Sequence, residues 1–126
     1  MVTSARVTVV ADNLHEIAAI AVEQEMDLLL WSKKVSNHIE YSDLDGKHRS
    51  ILYHDARLHP IALASFSRYL FWVEKEQKSI EKLPLDPNLG RNKQTIFAKQ
   101  SSSIVDLIAV PAMRKNSSSL YCMVCY

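Results

Sequence analysis

Two stretches of the chain are continuously apolar, Leu28-Leu29-Leu30-Trp31 and Tyr69-Leu70-Phe71-Trp72. Runs of that length predict short strands covered on both faces. The segment after the first run, Asn37-His38-Ile39-Glu40-Tyr41-Ser42-Asp43-Leu44, alternates in polarity, as a half-buried strand does. Asp45-Gly46 divides it from Lys47-His48-Arg49-Ser50-Ile51-Leu52-Tyr53. Asp-Gly between extended segments predicts a hairpin, because glycine accepts the positive φ that a type I′ turn demands. In the second half, Leu85-Asp86-Pro87-Asn88-Leu89-Gly90 takes the place of that turn as a longer loop.

Residues 14–31 admit a second reading. Leu14, Ile17, Ala18, Ala21, Met26 and Leu29 fit one helical face, and Ala, Glu, Gln and Met favour helix. An internal repeat decides against it. His15-Glu16-Ile17-Ala18 returns as His59-Pro60-Ile61-Ala62, 44 residues later. Leu29-Leu30-Trp31 returns as Leu70-Phe71-Trp72, and Ile39-Glu40 as Ile80-Glu81, each 41 residues on. Arg6-Val7-Thr8-Val9-Val10 stands 43 residues before Arg49-Ser50-Ile51-Leu52-Tyr53, Thr95-Ile96-Phe97 fills the matching place in the second unit, and Ser103 to Ile108 echoes His59 to Ala64. The second copy of the ambiguous stretch opens on Pro60 and carries Ser65-Phe66-Ser67-Arg68 at its centre, a strand-turn-strand pattern. Equivalent positions of a repeat share a conformation.

A period of about 40–45 residues marks a four-stranded propeller blade, or less often a paired-helix solenoid. The expected strands are 16–22, 27–32, 37–43 and 48–54, then 60–66, 69–74, 78–84 and 93–98. The fold class is all-β: a partial propeller of two complete blades, about 14–55 and 58–98, with flanking strands and a closing strand at 104–110. Residues 1–111 form this unit and 112–126 an irregular tail. Trp31, Trp72, Ile39, Ile80, Asp45 and Gly46 are the structural anchors of the repeat, the tryptophans as packing between blades. A unit of this kind cannot bury its apolar face alone, so the chain reads as a fragment of a longer array.

Composition changes little. Lys plus Arg number 15 against 14 Asp plus Glu, a net charge of +1, and no basic stripe with interleaved aromatics suggests nucleic acid. Two glycines in 126 residues are few for an all-β chain with many turns. No apolar run approaches the ~20 residues of a membrane span. Met1-Val2-Thr3-Ser4-Ala5-Arg6 is not the start of a signal peptide. Cys122 and Cys125 form one C-x-x-C pair without a second, which reads as two thiols in a tail or as part of an incomplete disulfide module.

From about Arg6 to Pro111 the chain resembles the YWTD (class B) repeats of the LDL receptor family. The matching elements are the proline-led apolar strand His59-Pro60-Ile61-Ala62-Leu63-Ala64, the tryptophan strand, Ile39 through Asp43-Leu44-Asp45-Gly46, and Arg49-Ser50-Ile51-Leu52. The namesake motif survives as Leu30-Trp31-Ser32-Lys33 and Phe71-Trp72-Val73-Glu74. In the family its threonine and aspartate support a buried network between blades, which Lys33 and Val73 alter. The resemblance implies a six-bladed propeller, with this chain covering its last two to three blades.

It further implies a non-catalytic module of an endocytic or signalling receptor, extracellular at the cell surface and in endosomes. Such a module binds protein or lipoprotein ligands, or packs against neighbouring receptor modules. It needs no cofactor and no metal, and touches neither nucleic acid nor membrane. Receptors of this family release ligand in acidic compartments, which makes His38, His48 and His54 the candidate pH sensors, since imidazole titrates near pH 6.5. Asn116-Ser117-Ser118 is a glycosylation pattern at Asn116. Two rival readings stand beside this one: a small intracellular helical interaction protein, and a propeller-fold metal-dependent hydrolase for which Asp106 is a lone ligand candidate. No catalytic motif supports an enzyme.

Overall fold

The computed structural model describes residues 6–10, 16–97, 107, 109–110 and 121–122, with Phe97 and the last two pairs given as backbone. Two four-stranded antiparallel sheets follow one another along the chain. The first holds β1 (Ile17–Glu23), β2 (Leu28–Lys33), β3 (His38–Asp43) and β4 (Ser50–His54). The second holds β5 (Pro60–Phe66), β6 (Tyr69–Glu74), β7 (Ser79–Pro84) and β8 (Gln94–Phe97). Within each sheet the spatial order is the sequence order, which makes each a propeller blade. Ala109–Val110 (β9) and Tyr121–Cys122 (β10) form a further two-stranded pair. Among the described residues no helix is long and apolar enough to cross a membrane.

The helical reading of residues 14–31 gives way to β1, a turn and β2. The blades even share their irregularities. The register shifts between Ile17 and Ala19 in β1 and between Pro60 and Ala62 in β5. It shifts again between Ile39 and Glu40, and between Ile80 and Glu81. A bulge at each matching place re-aims the side chains that follow it in the same way.

The scarcity of glycine is met by other residues in left-handed conformations. Ser67 and Arg68, the loop between β5 and β6, carry φ of 50° and 66°, and Asp27 and Lys78 end the four-residue turns at 52° and 49°. Each costs roughly 1 kcal/mol relative to glycine. The Asp45-Gly46 turn differs from the two-residue type I′ loop expected. Gly46 N–H donates to the Asp43 carbonyl and Asp43 N–H to the Lys47 carbonyl, both at 3.0 Å, which closes a three-residue loop with only Gly46 left-handed. A Cβ on Gly46 would lie 2.0 Å from the Val9 carbonyl oxygen, so the chain before the first blade passes directly over this turn. The corresponding loop of the second blade is a 3₁₀ turn, Pro87–Leu89, capped by Asp86, whose carboxylate accepts the Asn88 N–H at 2.9 Å.

The blades stack through β1 against β5, and Ser65 Oγ donates to the Val22 carbonyl at 2.5 Å across the seam. Leu30, Ile39 and Leu52 of the first blade meet Leu63, Leu70, Trp72 and Leu83 of the second, with Leu58 of the connector between them. A second cluster on the far side of blade two, including Ala62, Phe71, Val73 and Ile80, is covered by Leu107.

Candidate functional site

The strand register sets Glu40 opposite Trp31 and Glu81 opposite Trp72, so each blade carries a carboxylate beside an indole in the middle of its sheet. Glu40 accepts from Trp31 Nε1 at 3.1 Å and from Arg49 through Nε (2.9 Å) and a terminal nitrogen (3.1 Å), while Lys33 Nζ stands at 2.9 Å. The Arg49 guanidinium also lies 5.4 Å from the centre of the Trp31 ring system. Burial alone would raise the Glu40 pKa, but the bonds from Arg49, Lys33 and Trp31 outweigh it and hold the carboxyl at about 2. Glu81, wholly buried, accepts from Thr95 Oγ1 at 2.6 Å and Ser79 Oγ at 3.0 Å, with Lys93 Nζ at 3.5 Å. Arg49 and Lys93 each stand one residue before the fourth strand of their blade, so the cation is a repeated part too.

Glu74 is a third buried carboxylate. It accepts the backbone N–H of His59 at 2.8 and 3.1 Å, and Trp72 Nε1 lies at 3.4 Å. Burial raises its pKa by more than these bonds lower it. A raised carboxyl pKa penalises the folded state while Glu74 is ionised, and the penalty lifts as pH falls through the raised value. The thermal midpoint should therefore rise as pH falls from neutral toward the ordinary carboxyl value of 4.5, and Glu74→Gln should remove that rise. Melting curves across this range check it; an unchanged slope in the variant would sink the assignment.

Each carboxylate is held by its own donors, and among the described residues no group of three or more His, Cys, Asp or Glu is placed to hold a metal. The arrangement ties together the strands of each blade.

No family model matches the chain. Over 100 residues it is 29% identical to low-density lipoprotein receptor-related protein 4 of Homo sapiens, and equally to that of Mus musculus, a match covering 79% of this chain and 5% of the relative. The chain is similar to the LDL receptor-related proteins. It is 25% identical over 105 residues to low-density lipoprotein receptor-related protein 5 of Homo sapiens, covering 83% of this chain and 6% of that one. It thus spans about one-twentieth of the length of the relatives it matches. In the solved structure of a nidogen/laminin complex, one chain superposes with a TM-score of 0.69 at 19% identity, over 80% of this chain and 39% of that chain. That likeness is one of fold, the β-propeller.

Read as YWTD repeats, the expected anchors fall as follows. Trp31 and Trp72 are buried beside Glu40 and Glu81. Ile39 sits in the inter-blade core and Ile80 in the cluster beneath Leu107. Asp45 and Gly46 lie in the three-residue loop after β3. The three histidines share one hairpin: His38 pairs with His54 across β3 and β4, and His48 lies just before β4. His38 Nε2 is 3.7 Å from Glu40, and His48 Nδ1 is 2.8 Å from Asp43, whose carboxyl this bond keeps below the usual range. Asn116, His15, Asp106 and Cys125 lie outside the described residues, and Cys122 is given only as backbone in β10. The carboxylates are what the sequence reading missed. Glu40 and Glu81 were visible as repeated residues, and Glu74 stands where the YWTD motif has its aspartate, but neither spacing nor composition announces a buried charge.

Proposed function

We propose that this chain is a non-catalytic stretch of a receptor propeller that binds a protein or lipoprotein ligand or packs against neighbouring receptor modules. The observation that carries the reading is the similarity to receptor-related proteins across most of the chain, joined to two stacked blades each braced internally by buried carboxylates. Rigid blades of this kind hold loops in fixed positions, and the loops do the recognising. The face of blade one that bears Trp31 supports the packing role. Leu30 and Ile39 point to blade two, so their neighbours point away, and there Ile20, Val22 and Ile51 are 60%, 47% and 55% exposed. The same face of blade two is covered by blade one. The setting of such a module is extracellular, on a membrane receptor that passes through endosomes.

Release of ligand on acidification belongs to the same proposal. Charging His48 beside the ionised Asp43, and His38 beside the ionised Glu40, would tighten one hairpin while altering its surface charge.

The test is a graft. Replacing the matched 100 residues of human low-density lipoprotein receptor-related protein 4 by this sequence should yield a receptor that reaches the cell surface and is internalised at a rate within about twofold of the parent. Retention inside the cell as misfolded material would overturn the reading.

A further inference from the structure

Where the two blades meet, at the end where their first strands begin, a cavity of about 340 Å³ is lined by Ala18, Lys33, Lys34, His59, Pro60, Ile61 and Lys75. Its construction follows from the repeat. Lys34 and Lys75 occupy the same place in the two units, just after the tryptophan strand, and each donates its backbone N–H to the residue preceding the first strand: Lys34 to the Glu16 carbonyl at 2.9 Å, Lys75 to the His59 carbonyl at 3.2 Å. These bonds fix the two lysines on either side of the seam. The floor is apolar and firm: Pro60 is buried, and its carbonyl accepts Ser32 Oγ at 3.2 Å.

The charge in this cavity is one-sided. Among the described residues three lysines and a histidine line it and no carboxylate does, in a chain whose net charge is only +1. Lys33 is engaged by Glu40, whereas the ammonium groups of Lys34 and Lys75 pair with no carboxylate among the described residues. A concave, apolar-floored cavity with a few converging charges of one sign is how ligand sites are generally built.

We propose that this seam cavity is a docking site for an acidic segment of a protein partner, two carboxylates reaching Lys34 and Lys75 with an aliphatic side chain seated on Ala18 and Ile61. A sulfated polysaccharide fits less well, because it needs an extended basic track and here the cations are confined to one apolar-floored cavity. The inference rests on the reading of the chain as a protein-binding module, and adds the site and the chemistry of the partner.

The probe is the blocked pentapeptide Gly-Asp-Leu-Glu-Gly, titrated into the full chain and followed by NMR at the Ala18 and Ile61 methyls. Binding should saturate below millimolar peptide and weaken at least tenfold in the double variant Lys34→Gln/Lys75→Gln. It should stay within about twofold in Lys34→Arg/Lys75→Arg and in the control Lys47→Gln/Lys78→Gln. Equal binding of the Asn/Gln peptide, or full affinity in the first double variant, would overturn the site. So would a sulfated tetrasaccharide that binds more tightly than the peptide through the same two lysines. The receptor graft does not depend on these lysines, so a failed titration beside a successful graft removes the pocket alone.

Discussion

Trp72→Ala should cost about 3–5 kcal/mol and leave the two blades without cooperative unfolding. Trp72 is 0% exposed, and its ring lies 5.6 Å from that of Tyr53, tilted by 43°. It reaches from blade two into a cluster formed with Leu30, Ile39 and Leu52 of blade one, so the truncation opens a void at the seam. A domain of ordinary stability has only about 5–15 kcal/mol in hand. Urea denaturation should show the midpoint collapse and the transition broaden. Trp31→Ala, made on the face turned away from the seam, should cost markedly less. Equal losses would mean that the seam is not where the stability of the pair resides.

Arg49→Met should be the next largest effect, on the order of 2–3 kcal/mol, because it strips a buried carboxylate of its principal partner. The signature is in the acid limb. With its folded pKa near 2 against 4.5 ordinarily, Glu40 contributes stability that is complete above about pH 4.5 and is lost as pH falls toward 2. Stability of the parent should therefore drop over that window, and the variant should show a shallower drop from a lower plateau. This trend runs opposite to that of Glu74, which gains on acidification in the milder range. Denaturant titrations at several pH values between 2 and 7 separate the two. An acid limb of unchanged slope in Arg49→Met would refute the role given to the guanidinium.

Much of the architecture was legible in the repeat. Pro60 and the Ser65 to Arg68 turn identified strands where residues 14–31 by themselves also suit a helix, and the eight blade strands lie within two residues of expectation. The turn chemistry was legible only in part. Asp45-Gly46 marked a hairpin, but whether the loop has two residues or three depends on the pairing of Asp43 with Lys47, which no local pattern reveals. The polar interior was the least legible. Glu40 and Glu81 look like solvated strand residues, because alternation says which positions share a face without saying what will cover it. Glu40 and Glu81 are tolerable inside because Arg49 and Lys93 arrive beside them at the start of the neighbouring strand, a pairing set by register. Lys34 and Lys75 were hidden for a related reason, since their convergence depends on how one blade stacks on the next.

The seam also sets a schedule for synthesis. Leu30, Ile39 and Leu52 leave the ribosome first, and their partners Leu70, Trp72 and Leu83 follow only after roughly thirty more residues have been added. At about 5–20 residues per second, a greasy half-interface stays bare for seconds, far longer than hairpins take to form. Nascent chains of this kind should be clients of chaperones during that interval, and slow codons between the two blades would lengthen it.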